Sequence, residues 1–155
     1  MPDLRSRIVY RVSGLLRPPV SLGVRLVVRD VEDRVLLVRH TYTGGWHVPG
    51  GAVDVGETAS EAALRECREE AGLVVEGEPR LLGLYFNRAQ LQRDHVACFV
   101  VADHPSLSSY VLAPQALEIA QVRTVPLAAL PSEVTPATRR RLAEAFEGAA
   151  IATDW

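Results

Sequence analysis

The chain has 155 residues, 48% of them hydrophobic and 23% charged, with 17 basic against 19 acidic side chains and a net charge of −2. That length supports one domain with its own core, and the charge is too acidic for a protein that binds nucleic acid by neutralising phosphates. All the basic residues are arginine, which excludes lysine Schiff bases, pyridoxal-phosphate chemistry and a Walker-A loop. No apolar run approaches the roughly 20 residues that span a bilayer, and no signal peptide with a cleavage site opens the chain. Two cysteines, Cys67 and Cys98, make no disulfide framework, so a cytoplasmic setting is the default expectation.

In chain order, Leu4, Ile8, Val12 and Leu15 recur at helical spacing and predict a basic amphipathic helix over 3–16, within an N-terminal segment 1–19 that ends at Arg17-Pro18-Pro19. Such a helix docks on its own domain or on a partner subunit more readily than on a membrane, which leaves a homodimer open and gives no stable membrane insertion. Residues 21–29 and 34–39, rich in branched side chains and joined by Asp30-Val31-Glu32-Asp33, predict a hairpin. Residues 80–86, 95–102 and 118–125 predict further strands, with a loop over 103–117. One helix is predicted over 59–71. A second is predicted over 135–147, capped by Thr135 with Pro136 at its first position. Together these elements predict a single α+β domain over 1–155, a mixed central β-sheet between helices.

The helix over 59–71 is unusual in its acids. Thr58 and Glu61 have the spacing of a capping box, and Gly72 stands where a left-handed C-cap is wanted. At about 100° per residue, Glu66, Glu69 and Glu70 fall within one arc of roughly 100°, while Leu64, Cys67 and Ala71 face another side. Alone, those acids read more readily as a solvated face than as a site. Immediately upstream, Pro49-Gly50-Gly51 and Gly56 allow close backbone approach. Carboxylates facing an exposed carbonyl form an all-oxygen donor set, which suits a hard cation such as Mg²⁺ or Mn²⁺ better than zinc.

Residues 51–73 resemble the Nudix box, Gly-x5-Glu-x7-Arg-Glu-U-x-Glu-Glu-x-Gly-U, where U is a bulky aliphatic. The matching residues are Gly51, Glu57, Arg65, Glu66, Glu69, Glu70, Gly72 and Leu73. Its fixed letters coincide by chance on the order of once in 10⁸ positions at ordinary residue frequencies. Cys67 replaces an aliphatic, which implies lighter packing and no loss of chemistry. The order of elements also resembles that family's α/β/α sandwich.

The resemblance implies that Glu69 and Glu70 bind the metal with the backbone carbonyl of Gly50. It implies that Glu66 assists them or acts as a base near the attacking water. Arg65 would hold the glutamates, chiefly Glu69, by charge-assisted hydrogen bonds. Glu57 would serve the metal shell or the loop, or simply complement the helix dipole. Relatives recruit a further acid from outside the box. Glu118 is the candidate here, with Glu133 second, and a plain strand-edge charge is the alternative. Arg39, Tyr42 and Trp46 ahead of the glycines, and Asn87, Arg88 and Arg93 in the 85–95 loop, are candidates for base stacking and phosphate contact. Trp46 reads equally as core. His40, His47, His95 and His104 show no metal-ligand spacing and read as surface or packed residues. Cys98 reads as core, and Arg139-Arg140-Arg141 as a solvated helix face.

The implied activity is a Mg²⁺-dependent hydrolysis of a nucleoside diphosphate linked to another moiety. Residues 80–92 lack the proline that many ADP-ribose-cleaving relatives carry, so triphosphates, nucleotide sugars and dinucleoside polyphosphates all stay open. Triphosphates are favoured for the shortness of the chain. The alternatives are a non-catalytic nucleotide-sensing module and diphosphate isomerase chemistry. The intact box glutamates weigh against the first. The absence of a further catalytic cysteine–glutamate pair weighs against the second.

Overall fold

Alternating branched residues sort β1 (Ser21–Asp30) into two apolar faces, with Val24, Leu26 and Val28 buried on one side and Val27 on the other. A strand buried on both faces belongs in the middle of a sheet, and that is where the computed structural model, which describes residues 19–90 and 92–155, places it. The remaining strands are β2 (Arg34–His40), β3 (Arg80–Asn87), β4 (Asp94–His104) and β5 (Ile119–Pro126), and the sheet order is β3-β4-β1-β2-β5. The β1–β4 pair is parallel and the other neighbours are antiparallel, so the sheet is mixed. Helix α1 (Ala59–Ala71) covers the face carrying Val24, Leu26, Leu36 and Val38. Helix α2 (Pro136–Phe146) covers the other, with Leu142 packed among Val27, Leu37, Trp46 and Tyr85. The result is the three-layer sandwich expected from the sequence. The predicted helix over 3–16 lies outside the described residues. No helix among those described is long and apolar enough to cross a membrane.

The predicted hairpin holds only at its turn. β1 and β2 pair at Arg29 and Val35, and then part. Residues 46–53 enter the gap. On one side Val24 N–H donates to the Gly51 carbonyl at 2.8 Å and Leu26 N–H to that of Pro49 at 2.9 Å, while on the other Val38 and His47 exchange bonds of 2.8 and 2.9 Å. The separated strands thus keep their backbone partners, and the glycine turn is carried into the sheet between them.

At the turn, Asp30 is buried and its carboxylate accepts from Glu32 N–H (3.0 Å), Arg34 N–H (2.9 Å) and, across the chain, Leu107 N–H (2.9 Å). It therefore ties the β1–β2 turn to a short 3-10 turn at Leu107–Ser109, inside the segment expected to be loop. The run Arg139-Arg140-Arg141 departs from expectation. Arg141 is fully buried, because it follows the buried Thr138 by three residues and adjoins Leu142 on the inner face of α2.

Burial by itself would raise the Asp30 pKa, but the Leu107, Arg34 and Glu32 N–H groups, with the Arg34 charge, together hold it below its ordinary value of 3.8. A depressed carboxyl stabilises the fold above its unfolded pKa, and that stabilisation is lost as pH falls through the folded value. Asp30→Asn, which turns an NH₂ group toward at least one of those N–H donors, should cost about 1–3 kcal/mol in urea unfolding at pH 7. The penalty should shrink as the wild type is acidified below pH 4.

Candidate functional site

Helix α1 begins with the capping box, in which Thr58 and Glu61 satisfy each other's backbone N–H groups, and ends on Gly72 in the left-handed conformation (φ 75°). The caps fix its register against the sheet. Ala62, Ala63, Cys67 and Ala71 face inward, and Glu70 lies on that same buried face, only 1% exposed. The acidic arc therefore straddles the boundary of the core, with Glu66 half-buried and Glu69 exposed.

The inserted turn meets this helix edge. Glu70 Oε2 accepts from Gly50 N–H at 2.9 Å. A Cβ on Gly50 would collide with the Val24 carbonyl oxygen, and one on Gly51 would stand 2.5 Å from Glu66 Oε1. Both glycines are thus dictated by close approach, one to a strand backbone and the other to a box carboxylate.

Arg65 gathers the other acids. Its guanidinium donates to Glu57 Oε1 (2.7 Å) and Oε2 (3.1 Å), Glu66 Oε1 (2.8 Å), Glu69 Oε2 (3.1 Å) and the Ala52 carbonyl (3.0 Å). The sequence pointed to Glu69 as its partner. The bidentate grip falls on Glu57 instead, whose carboxyl is held down to about 2, chiefly by Arg65 and then by the Asp54 N–H. Glu57 is therefore spent on fastening the loop to the helix.

Glu70 goes the other way. Burial pushes its carboxyl up to about 7; the Gly50 N–H and Arg25 oppose this, while the charges of Glu66 and Glu118 add to it. Glu66 is also raised by burial, opposed by Arg65, with Glu69 and Glu118 adding repulsion. His40 Nε2 lies 3.7 Å from Glu70 Oε1, too far for a hydrogen bond, and burial takes the ring pKa down to about 4. The pair is therefore a neutral imidazole beside a carboxyl, and among the described residues both ring nitrogens lack hydrogen-bond partners.

The predicted residues divide accordingly. Glu118, from outside the box, lies near enough for its charge to raise Glu66 and Glu70, and its carbonyl accepts from Thr41 N–H at 2.8 Å. Glu133 lies with Arg39 and Arg123, away from those acids. Tyr42, exposed, has its ring 5.1 Å from that of His40. Trp46 is only 2% exposed, with Arg39 and Arg123 at 6.0 and 5.4 Å from its ring centre, so it is core and offers no base a free face. Arg39 follows strand alternation to the face opposite Val38 and His40. Arg88 is occupied by Asp154 at 2.8 Å, and Arg93 is exposed beside Val20. Asn87 borders a cavity next to Gly51.

Sequence reasoning missed Arg25, whose Nη1 reaches the Val48 carbonyl at 3.1 Å and that of Gly50 at 3.4 Å. A signal was present: a single arginine inside "LGVRLVV" is an expensive residue for a central strand and calls for a partner.

The donors fit a hard divalent cation. Glu66, Glu69, Glu70 and the Gly50 carbonyl supply only oxygen, and a cation would relieve the burial and repulsion that keep Glu70 high. Among the described residues, no three acidic, histidine or cysteine side chains already converge as a cage. Arg65 holds Glu66 and Glu69 in its place.

The model of the NUDIX domain family matches residues 19–146. An ADP-ribose pyrophosphatase of Methanocaldococcus jannaschii is 36% identical over 100 residues, covering 63% of this chain and 57% of the relative. A diphosphoinositol polyphosphate phosphohydrolase 2 of Rattus norvegicus is 43% identical over 76 residues, covering 48% and 41%. The chain thus spans less than two thirds of these relatives. Among solved structures, the NUDIX domain of Shewanella oneidensis NrtR complexed with ADP ribose superposes with a TM-score of 0.74 at 20% identity, covering 95% of this chain and 99% of that one, a likeness of fold.

A carboxyl raised from 4.5 to about 7 on folding subtracts stability progressively as pH rises through that window. In EDTA, Glu70→Gln should therefore raise the unfolding free energy at pH 8 by about 1–3 kcal/mol and leave it nearly unchanged at pH 4. Equal stability of variant and wild type at pH 8 would show that Glu70 is not strained.

Proposed function

Because the chain belongs to the Nudix domain family, we propose that it hydrolyses the pyrophosphate bond of a nucleoside diphosphate linked to a further group X, with Mg²⁺ or Mn²⁺ as cofactor. The observation that carries this reading is Glu70: a buried carboxylate hydrogen-bonded to Gly50 N–H and crowded by Glu66 and Glu118. Burying such a charge without a permanent counter-ion is unfavourable, and a fold keeps such a group where a ligand completes it.

Glu69, Glu70 and the Gly50 carbonyl are assigned to the cation, with Glu66 and Glu118 beside them. When bound, a divalent cation offsets the negative charge of adjacent phosphates and makes water more acidic. The chain's own residues do the rest. Arg65 orients Glu66 and Glu69 and locks the loop to the helix through Glu57. To Glu66, whose carboxyl burial raises, falls the role of taking the proton from water as the water oxygen bonds to phosphorus. The P–O anhydride bond breaks, and the products are a nucleoside monophosphate and phosphorylated X. The named activities of the relatives, on ADP-ribose and on a diphosphoinositol polyphosphate, support diphosphate cleavage as the common chemistry. They leave X open among triphosphates, nucleotide sugars and dinucleoside polyphosphates.

The test is a panel of those compounds incubated with and without Mg²⁺, with monophosphate and phosphate products measured. At least one should be cleaved only with the metal, and Glu70→Gln should lower that rate by about 10²-fold or more. Binding without turnover across the panel would instead support a sensing module.

A further inference from the structure

Two cavities lie on the α2 face of the sheet, and Trp155 lines both. The smaller, of about 230 Å³, is bounded by Gly23, Arg25, Gly51, Asn87, Asp94 and Trp155. The larger, of about 310 Å³, shares Arg25, Asn87 and Trp155 and is completed by the start of α2 with His47, Val48 and Ala89. Since Gly51 follows the carbonyl assigned to the cation and abuts Glu66, the smaller cavity opens beside the site of chemistry.

Trp155 is held there by an elaborate set of bonds. Residues 153–155 lie parallel to β3, with Phe86 N–H donating to the Thr153 carbonyl at 2.8 Å and Trp155 N–H to that of Phe86 at 3.0 Å. Arg140 donates to the Trp155 carbonyl at 2.7 Å and the buried Arg141 to that of Asp154 at 3.2 Å. Arg141 is in turn paired with Glu144 at 2.7 Å, which also accepts from Tyr85 Oη–H and Ala152 N–H. The indole meets the Tyr85 ring edge-on at 5.7 Å and yet stays only partly covered. The Arg141 guanidinium lies 5.2 Å from the centre of the indole ring, and the ring's remaining surface borders both cavities, where a base can stack on it. Polar groups suited to the edge of a heterocycle line the same cavity. Asp94 accepts from Ser21 Oγ–H (2.7 Å) and Asn87 Nδ2–H (3.0 Å), and a carboxylate and an amide carry more acceptor positions than these two bonds use.

We infer that the smaller cavity receives the nucleobase of the substrate, stacked on Trp155 with its edge against Asn87 and Asp94, so that the diphosphate runs past Gly51 toward Glu66 and Glu70. This rests on the nucleotide reading above, but concerns binding alone. Of the residues it uses, Trp155 and Asp94 fall outside the box and the sequence-derived candidates.

Calorimetric titration in EDTA with AMP, GMP, CMP, UMP and base-free ribose 5-phosphate tests it without turnover. At least one nucleotide should bind at least 5-fold more tightly than ribose 5-phosphate. Trp155→Ala should weaken that nucleotide by about 10-fold, the range of a lost base–aromatic stack, while Trp155→Phe keeps most of the affinity. Asp94→Ala, which touches only the smaller cavity, should weaken it too. With the cleaved substrate and Mg²⁺, Trp155→Ala should raise KM and leave kcat within about threefold. If Trp155→Ala fails to fold, Trp155→Phe and Asp94→Ala decide. Unchanged affinity in Trp155→Ala or Asp94→Ala, or ribose 5-phosphate binding as well as every nucleotide, overturns the inference. Turnover with unaltered KM in Trp155→Ala defeats this pocket and spares the hydrolase reading, whereas base-dependent binding with no turnover does the reverse.

Discussion

The hydrogen bond from Gly50 N–H to Glu70 Oε2, 2.9 Å long, joins the two halves of the site. It requires that β1 and β2 separate, that residues 46–53 take up the freed backbone groups, and that no side chain stand at position 50. It also requires a glutamate on the inward side of α1, at a position where amphipathic patterning wants an apolar residue. Each of these is unfavourable alone. The ladder bonds with β1 and β2 offset the first, and the helix caps hold the last in register.

Two electrostatic effects compete within α1. Repulsion between acids on neighbouring turns of an exposed helix amounts to a few tenths of a kcal/mol per pair, and Arg65 absorbs most of it by taking Glu57, Glu66 and Glu69. Burial acts on Glu70 with several times that weight, enough to move its carboxyl to about 7. Burial therefore dominates, and Arg65 has no bond to the glutamate that needs relief most. The helix thus keeps one acid unsatisfied in a field of others, which is the electrostatic condition for attracting a cation.

The two faces of the sheet divide the labour. The α1 face holds the acids and a core of small and branched side chains. The α2 face encloses Trp46 and dedicates the buried Arg141–Glu144 pair to the segment ending in Trp155. A buried ion pair adds little net stability against a well-packed apolar substitute. Its value here is directional, since Glu144 and Arg141 together bond Tyr85, Ala152 and Asp154 and so set the position of the indole. Arg25 reaches the carbonyls of Val48 and Gly50 from a strand whose neighbours are apolar.

Helix α1, both of its caps and the grouping of its acids could be read from residue order, because capping and helical periodicity act within a few residues of one another. The same local logic gave the strands to within one or two residues. Which layer each strand face would meet was not readable. Tertiary structure alone decided that β1 and β2 part to admit Gly50, that Glu70 is buried while Glu69 is exposed, that Trp46 is core and that Trp155 borders a cavity. Those outcomes depend on contacts between segments distant in the chain, such as Glu118 beside Thr41 or Asp154 beside Arg141. Burial, which sets the charge state of Glu70, is a property of the assembled layers and has no signature in the spacing of residues.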